Sequence, residues 1–347
     1  LVPENFATIQ EAIDFSMDGD TILVSAGTYY ESFLAAYNKS LTIIGESPQS
    51  TILHGANDGQ RCFNIDNVYT PEKYFHIKNL TITNYTNDYG SAFNQGGASV
   101  VIDNCIIENN TSIEGTILSL DGGWEVANLT ILNTTISNNN SHRGAGIFYS
   151  NSVANGNVII SNSNINNNFS NLFGGGIYIH NSSLDIINSN ISNNFSAFNQ
   201  ELDWETGYGG GIYAESSDID IDNSLINDNY ANQRGGAIYL LESTIDISNS
   251  SVSGNLALRD EAGAIEVKSN SVANISNSEI INNESQGTAG ILVLSNSILN
   301  INSSLFVNNI SSVLDGRGSL RFHNNSYGHI DKVTIVNENN STHSISI

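Results

Sequence analysis

The feature that most constrains the fold of this chain is a repeat of short Ile-rich runs separated by Gly and by Asn-Ser pairs. The stretch GGGIYIHNSSLDIINSNISNN (174–194) returns in nearly the same form as GGAIYLLESTIDISNSSVSGN (235–255). Self-similarity with a period of about 20–50 residues is typical of a solenoid, a propeller or an array. The apolar runs are three to six residues long, rich in β-branched side chains and bounded by Gly, Asn and Ser. They therefore predict strands and not helices.

Alignment of the Asn-Ser pairs places one Asn at the same position of eight successive units, with steps of 25 to 35 residues. This first Asn column consists of Asn79, Asn104, Asn133, Asn162, Asn188, Asn223, Asn249 and Asn277. An apolar residue lies two positions before each Asn and another three positions after it, and in most units a second Asn follows five positions on. Asn tolerates the left-handed backbone that tight bends need, and its amide can bond to the amides above and below. We interpret the column as structural.

Three apolar runs in each unit of about 26 residues predict three short strands per coil. The predicted fold is all-β: one domain over residues 1–347, a right-handed parallel β-helix. Residues 21–347 form about eleven or twelve coils, on the order of 55 Å long at the strand spacing. Residues 198–208 are an enlarged loop, which accounts for the 35-residue step.

The first 20 residues differ from the repeat and predict an N-terminal cap. Thr8 and Glu11 have the spacing of a capping box, and TIQEAIDFSM reads as an amphipathic helix that ends at Asp18-Gly19. Such a helix would cover the open edge of the first coil. The last unit, from His329 onward, shows no comparable polar cap. We expect that either more chain follows or another molecule covers this end, which would give end-to-end self-association.

The charge balance narrows the choice of partners. Thirty-five acidic and eleven basic residues give a formal net charge of −24, which argues against nucleic acid and anionic membrane surfaces. No apolar run approaches the roughly 18 residues needed to cross a bilayer, so direct membrane insertion is not expected. No cofactor is predicted, with Ca²⁺ the one ion that the acidic composition leaves open.

Cysteines and sequons give weaker indications. Cys62 and Cys105 lie in apolar, strand-like contexts, which favour two buried thiols over a disulfide. Sequons are plentiful, as expected by chance in a chain so rich in Asn and Ser, and they permit N-glycosylation without showing it. The candidate acceptors are Asn79, Asn128, Asn168, Asn190 and Asn274.

The run ATIQEAIDFSMDGDTILVSAGTYYESF, followed by KSLTIIGESPQSTILHG, resembles the opening of secreted right-handed parallel β-helix proteins of the pectin methylesterase and polysaccharide-lyase-like groups. GGAIY (235–239) and FVNN (306–309) are similar to the GGAI and FxxN repeats of polymorphic outer-membrane proteins. The resemblance covers nearly the whole chain and implies the β-helix fold and a secreted or cell-surface location. It does not carry an activity, because the catalytic motifs of the methylesterases, polygalacturonases and pectate lyases are missing.

One column of possible contact residues lies one position after the Ile of the Gly-Ile-Tyr run. It contains Phe148, Tyr178, Tyr213 and Tyr239, followed by Glu266. The charge of Glu266 indicates that this side faces solvent. Four exposed, stacked rings suit a platform for sugar rings or a partner surface, and the alternative is a ladder that only stiffens the sheet.

A second column lies four positions before the same Ile and mixes cationic and aromatic residues: Arg143, Phe173, Tyr208, Arg234 and Glu261. Arginine and aromatic rings along a groove suit an acidic or neutral glycan. The enlarged loop lies nearby and contributes Trp204 as a stacking surface, with carboxylates for acid–base chemistry. The alternative for this loop is a solvated segment without a site.

A third column is acidic and contains Asp185, Asp220 and Asp246. Carboxylates at strand spacing repel each other unless they are screened or bridged, and Ca²⁺ takes oxygen ligands from such sets. The alternative is an exposed acidic face.

Two function classes follow from these patterns. The favoured one is an extracellular or cell-surface structural protein, such as an adhesin, a sheath or a filament subunit, because the coils are regular and catalytic motifs are absent. The alternative is a polysaccharide-active enzyme or glycan-binding module of the pectin lyase-like kind. The two classes differ in what they require of the second column. A polysaccharide-active enzyme or glycan-binding module needs an accessible groove there, whereas a structural protein does not.

Overall fold

The structure is a computed structural model. It describes residues 1–66, 73–96, 98–120, 128–151, 156–197, 206–259, 261–312, 318–336 and 345–346.

The chain winds into a parallel β-solenoid with about 28 residues per turn, which confirms the predicted fold class. Three twelve-stranded parallel sheets run along its length, and each coil contributes one strand to each sheet. We call them sheets A, B and C in the order in which the chain meets them.

Sheet A carries the Leu-Asp-Ile runs. Its strands are Asp20–Val24, Leu41–Gly45, Tyr74–Lys78, Ser99–Asp103, Leu129–Leu132, Gly156–Ser161, Ser182–Ile187, Asp218–Asp222, Thr244–Ser248, Val272–Ser276, Ile298–Asn302 and Tyr327–Asp331. Sheet B carries the Asn-Ile-Ser runs. Its strands are Gly27–Tyr29, Thr51–His54, Thr81–Thr83, Ile106–Glu108, Thr135–Ser137, Asn164–Asn166, Asn190–Ser192, Leu225–Asn227, Ser251–Ser253, Glu279–Ile281, Leu305–Val307 and Thr334–Val336.

Sheet C carries the Gly-Ile-Tyr runs. Its strands are Leu34–Tyr37, Phe63–Asp66, Phe93–Gly96, Ile117–Leu120, Ile147–Ser150, Ile177–His180, Ile212–Glu215, Ile238–Leu241, Ile265–Lys268, Ile291–Leu294, Leu320–His323 and Ile345–Ser346. A fourth, seven-stranded sheet D lies between sheets B and C in the middle of the chain and was not predicted. Its strands are Asn140–Arg143, Phe169–Phe173, Phe195–Ser196, Tyr230–Ala231, Leu256–Ala257, Glu284–Ser285 and Ile310–Ser311.

The core is built from the apolar columns that the repeat predicts. Ile77, Ile102 and Ile131 pair in register in sheet A, and Ile82 and Ile107 pair in register in sheet B; all five are fully buried. Because side chains alternate across a strand, every second residue of these runs points into the solenoid. Continuous β-branched columns therefore fill the interior.

The first Asn column adopts the left-handed backbone in every one of its eight units, with φ between 48° and 58°. The residues five positions on are also left-handed, including Asp228 and Gly254, which replace Asn there. Both Asn columns thus form the bends of the coil, as predicted. In the first column the side-chain amides meet only in places, as when Asn104 Nδ2 donates to Asn79 Oδ1 at 2.8 Å.

The continuous amide ladder lies one residue beyond the second bend, which corrects the prediction that the first column carries it. Its members are Asn110, Asn139, Asn168, Asn194, Asn229, Asn255, Asn283 and Asn309. In each step one Oδ1, such as that of Asn194, accepts from both the backbone N–H and the Nδ2 of Asn168. All eight side chains are buried. Fully bonded buried amides fix the register of successive coils.

The serine of each Asn-Ser pair forms a second buried ladder. Thr134 N–H donates to Ser163 Oγ and Ser163 N–H donates to Ser189 Oγ, at 3.1 Å in both cases. The pattern continues through Ser224, Ser250 and later coils. The Asn-Ser pair therefore combines a left-handed residue with a buried hydroxyl that satisfies the next backbone N–H.

The predicted N-terminal helix is present over Ile9–Phe15, with Thr8 as its N-cap. Glu11 N–H donates to Thr8 Oγ1 at 3.1 Å, and the Glu11 carboxylate accepts from Ala7 N–H. The helix ends three residues before the predicted Asp18. Neither this seven-residue helix nor any other described segment forms a helix long and apolar enough to span a membrane.

Both cysteines are free and buried, as predicted. Burial raises the pKa of the Cys105 thiol to about 12, so it stays protonated at neutral pH. They contribute to the apolar core and not to a cross-link.

Candidate functional site

The first predicted column stacks on the outer face of sheet C. Phe148, Tyr178, Tyr213 and Tyr239 are in register on four successive strands. Neighbouring ring centroids are 4.7, 5.1 and 5.3 Å apart, and their planes agree within 8°. The strand spacing thus imposes an offset stack of parallel rings.

This column does not face solvent, which corrects the sequence-based expectation. Its four rings are only 2–8% exposed. The second column packs over it: the ring of Phe173 lies 4.8 Å from that of Tyr213, and the ring of Tyr208 lies 4.8 Å from that of Tyr239. The aromatic residues of the two columns form one apolar cluster outside the main core. We call the two columns together the covered strip.

The bend from sheet D into sheet C lets the second column fold back over the first. Gly144 and Gly174 occupy this bend in successive coils with φ of 52° and 60°. A Cβ added at Gly144 would collide with the carbonyl oxygen of Ile147. Only Gly combines this left-handed backbone with so close an approach.

Charged residues replace the rings at the C-terminal end of the covered strip. Glu266 follows Tyr239 in the register of sheet C and its side chain is fully buried, contrary to the expectation that its charge marks a solvent-facing side. Arg234 of the second column lies 3.2 Å from Glu266, and Arg321 lies 2.6 Å from Glu261. Arg321 lies two strands beyond Glu266 in the register of the first column, so both pairs join the first column to the second. A buried carboxylate is tolerated here because a guanidinium from the covering column neutralises it.

At the other end of the strip the charged side chains of Arg143, Glu114 and Glu215 are partly exposed, whereas Tyr178 is only 8% exposed. The side chain of Arg143 is 40% exposed and lies 3.6 Å from the Glu114 carboxylate. Tyr178 Oη lies 3.4 Å from Glu215 Oε2, and Tyr213 Oη lies 3.5 Å from the same oxygen. We call Glu114, Arg143, Tyr178 and Glu215 the polar cluster.

The polar cluster lies around Tyr178: Arg143 directly precedes Gly144, whose backbone lies against the Tyr178 side chain, and Glu215 lies beside the Tyr178 hydroxyl. Burial raises the pKa of the Tyr178 hydroxyl most, and the Glu215 charge raises it further, while Arg143 lowers it and Glu114 raises it slightly. The net direction is upward, so the phenol is a neutral hydrogen-bond donor at neutral pH. The polar cluster therefore offers a guanidinium, two carboxylates and a hydroxyl, which are the groups that recognise polyhydroxylated or carboxylated ligands.

Sequence reasoning missed Glu114 and Glu215. Glu114 pairs with Arg143 in an isolated bridge and directly precedes Gly115, just as Arg143 directly precedes Gly144. Aligning the residue before the left-handed glycine would have revealed it. Glu215 ends its strand three positions after Ile212, in register with His180, a column that was not considered.

The enlarged loop is only partly described. Trp204 lies outside the described residues, whereas Tyr208 bridges Phe173 on one side and Arg234 on the other. The structure thus joins nine of the ten predicted contact residues into the covered strip and leaves Trp204 as a prediction.

The acidic column lies on a different side of the solenoid, on the outer face of sheet A. Asp185, Asp220 and Asp246 pair in register, and Asn274 follows with its Nδ2 donating to Asp246 Oδ1 at 2.7 Å. The pKa of Asp220 is raised, first by partial burial and then by Asp246, Asp185 and the adjacent Asp218.

Within the described ranges, no group of three His, Cys, Asp or Glu side chains is arranged to hold a metal ion. Residues in register on one sheet face project side by side and do not converge on a point. Ca²⁺ binding by Asp185, Asp220 and Asp246 stays a prediction.

The predicted glycosylation acceptors divide into two groups. Asn168 belongs to the buried amide ladder, where its Nδ2 donates to Ile136 O and to Asn194 Oδ1 at 3.0 Å each. It is 1% exposed, so the folded chain offers no accessible amide there and this prediction is wrong for the folded state. Asn79, Asn128, Asn190 and Asn274 are partly or fully exposed and stay predictions.

Comparison with known proteins finds similar folds but no related sequence family. No sequence family and no characterised protein matches the chain significantly. Among solved structures, the chain is similar to the A-module of the mannuronan C-5 epimerase AlgE4 from Azotobacter vinelandii. The sequence identity is 12%, the match covers 98% of this chain and 94% of the other, and the TM-score is 0.50.

A GH87 α-1,3-glucanase catalytic domain is also similar, at 14% identity over 97% of this chain and 67% of the other, with a TM-score of 0.45. At such low identity the likeness shows a shared β-helix fold alone. The chain shares its parallel β-solenoid fold with the AlgE4 A-module.

Proposed function

We propose that this chain binds a polysaccharide along the outer face of sheet C, with the polar cluster as the main contact. The observation that carries the proposal is the convergence of Arg143, Glu114, Tyr178 and Glu215 at the accessible end of the covered strip. A glycan presents many hydroxyls, and some glycans add carboxylates. The cluster supplies donors and acceptors for both.

The stacked rings give the cluster a rigid support. Tyr178 is held between Phe148 and Tyr213 at 4.7 and 5.1 Å, so its hydroxyl has a fixed position. A binding group whose rotamer is already fixed loses little conformational entropy when the ligand arrives. Burial of the aromatic column thus changes its proposed role from contact surface to scaffold.

The likeness in fold to carbohydrate-active enzymes suggests which polysaccharides to try first. One neighbour is named for mannuronan and another for α-1,3-glucan. Polygalacturonate is a third choice, because the opening of the chain resembles pectin-active proteins. The proposal concerns binding and assigns no reaction to the cluster.

Affinity electrophoresis of the chain in gels containing each polysaccharide tests this proposal. We expect retardation by at least one of the three, and a loss of about tenfold in affinity for Arg143→Ala, since one charge-assisted hydrogen bond contributes about 1.5–3 kcal/mol. Tyr178→Phe keeps the stack and removes only the hydroxyl, so its loss should be smaller.

Lys332→Ala is the matched control, because it also removes one positive charge. Lys332 directly follows the strand Tyr327–Asp331, far along the chain from the polar cluster, and its side chain is 73% exposed. Retardation by none of the three polysaccharides, or equal retardation of Arg143→Ala and the parent chain, would overturn the proposal. The structural alternative, an adhesin, sheath or filament subunit located outside the cell, stays a prediction. A surface-attached chain that holds a polysaccharide would satisfy both.

A further inference from the structure

A groove runs along the bend between sheets A and B, built from residues other than those of the covered strip. It has a volume of about 330 Å³ and is lined by three successive bends, 162–164, 188–190 and 223–225. This volume lies within the range of small-ligand sites in proteins. We call it the amide groove.

Left-handed asparagines create the groove. Asn162, Asn188 and Asn223 have φ of 51°, 50° and 48°, which turns the chain sharply from sheet A into sheet B. Their side chains are exposed and form one wall, where Asn223 Nδ2 donates to Asn188 Oδ1. The buried Ser163 and Ser189 form the floor, and their hydroxyls are already used in the serine ladder.

The opposite wall distinguishes these coils from their neighbours. It is formed by Asn164, Asn190 and Leu225, which are in register at the start of three sheet B strands. The same position carries Thr135 in the coil before and Ser251 in the coil after. Among the described coils, an amide occupies this position only at Asn164 and Asn190. The double row of amides is therefore local to the groove.

The walls offer both polar and apolar contacts. Leu225 is 50% exposed at one end of the groove. Asn190 Nδ2 donates one hydrogen to Ser192 Oγ at 3.2 Å and keeps a second one, while its Oδ1 is buried and has no hydrogen-bond partner within the described chain. No charged side chain lines the groove. Amides that donate and accept, beside one apolar side chain, match a ligand with many hydroxyls and an apolar ring face.

We infer that the amide groove is a binding site for an uncharged oligosaccharide. The exposed Asn164 amide donates to and accepts from ring hydroxyls, Asn190 donates its second Nδ2 hydrogen, and Leu225 packs against the C–H face of a sugar ring. Because the groove carries no cation, it does not select carboxylated sugars, in contrast to the polar cluster. The inference uses no residue of the covered strip and holds whether or not the strip binds a polysaccharide.

Isothermal titration with neutral hexasaccharides tests this inference. The probes are maltohexaose, cellohexaose and laminarihexaose, with hexagalacturonate as the charged counterpart. The chain is produced in a host that adds no N-glycans, because Asn190 is also a sequon and a glycan on it would fill the groove. Asn164→Ala and Asn190→Ala are compared with Thr135→Ala and Ser251→Ala, which alter the same position one coil outside the groove.

We expect binding of at least one neutral hexasaccharide and a loss of about five- to tenfold for each Asn variant, as for removal of one hydrogen bond. The two outer controls should bind within twofold of the parent chain, and so should Lys332→Ala, which removes an exposed charge outside both sites. Absence of binding to all three neutral probes at 10 mM would overturn the inference. So would binding by Asn164→Ala and Asn190→Ala that is as tight as binding by the parent chain. If Arg143→Ala loses neutral-sugar binding while the two Asn variants keep it, the binding belongs to the covered strip and the amide groove is not the site.

Discussion

The outer faces of sheets C and A carry in-register columns on the same coils, yet they differ in exposure. On sheet C, Tyr213 is 6% exposed because Phe173 packs over it. On sheet A, Asp220 of the same coil is exposed to solvent. Alternation along the strand places both side chains outside the solenoid core. What separates them is the chain segment before the strand: sheet D and its glycine bend fold back over sheet C.

This difference shows that "outside the core" and "in solvent" are separate properties in a solenoid. A covered column can be aromatic or hold buried ion pairs, whereas an open column is free to accumulate like charges. The covered strip should therefore respond to mutation like a core, and sheet A like a surface.

The largest expected effect comes from removing one ring of the covered strip. Tyr213→Ala should lower the free energy of unfolding by about 3 kcal/mol, because it leaves a cavity between Tyr178, Tyr239 and Phe173. Tyr74→Ala is the matched control, since Tyr74 lies in a sheet A strand and is 44% exposed. Its expected cost is below about 1 kcal/mol. Urea unfolding followed by circular dichroism measures both. Equal costs would show that the strip is not a second core.

A slightly smaller effect is expected from the buried ion pair. Arg234→Ala leaves the Glu266 carboxylate buried without its guanidinium, which should cost about 2 kcal/mol, less than in a fully buried pair because Arg234 itself is 28% exposed. The double variant Arg234→Ala/Glu266→Leu removes the buried charge as well and should recover most of that loss. Leu292 already occupies the next position of the column, so a leucine fits there. Failure of the double variant to recover stability would mean that Arg234 acts through packing alone.

The smallest effect is the pH dependence of sheet A. The raised pKa of Asp220 means that the folded state binds this proton more tightly than the unfolded state. Its contribution to stability is therefore present at low pH and is lost as pH rises through the folded pKa. Asp220→Asn removes that loss and should gain no more than about 0.5 kcal/mol at pH 7.

Asp222 gives the opposite sign on the same strand. Hydrogen bonds from Ser248 and Asn249 lower its pKa, so its contribution is present above the unfolded pKa and is lost as pH falls through the folded value. In a plot of the free energy of unfolding against pH, Asp222→Asn should therefore reduce the loss of stability as pH falls. Asp220→Asn should instead reduce the gain of stability as pH falls. Profiles of the two variants that shift in the same direction would contradict this assignment.

Much of the fold followed from the repeat. The Ile columns and the left-handed Asn columns depend on local bend chemistry and two-residue alternation, and both are visible in a single unit. The buried ladders were harder to assign, because Asn110 and Asn109 are adjacent amides and only their three-dimensional environment separates the bonded one from the bend. Sheet D was not predicted, because most of its strands have only two residues, such as Phe195–Ser196. Two residues are too few to show an alternation of apolar and polar side chains.

The sequence predicted which residues form the two columns of the candidate site, but not how exposed these residues are. The columns containing Tyr178 and Phe173 were both recognised, but their spacing in sequence gives no information on whether one folds over the other. That depends on the glycine bend and on the partner of Glu266, Arg234, which lies 32 residues earlier. A single charged residue is therefore a poor marker of solvent when a cation can reach it across coils.

Hydroxyl-radical footprinting with saturating polysaccharide tests the central claim, that the sheet C side of this solenoid binds a glycan. Tyr89 is 48% exposed and bridges Glu114 of the polar cluster, and Tyr74 is 44% exposed on sheet A, away from the amide groove. We expect Tyr89 and the partly exposed Phe173 to lose reactivity with mannuronan, α-1,3-glucan or polygalacturonate, while the reactivity of Tyr74 stays unchanged. Unchanged reactivity of Tyr89 and Phe173 with all three, or protection of Tyr74 in their place, would contradict the account.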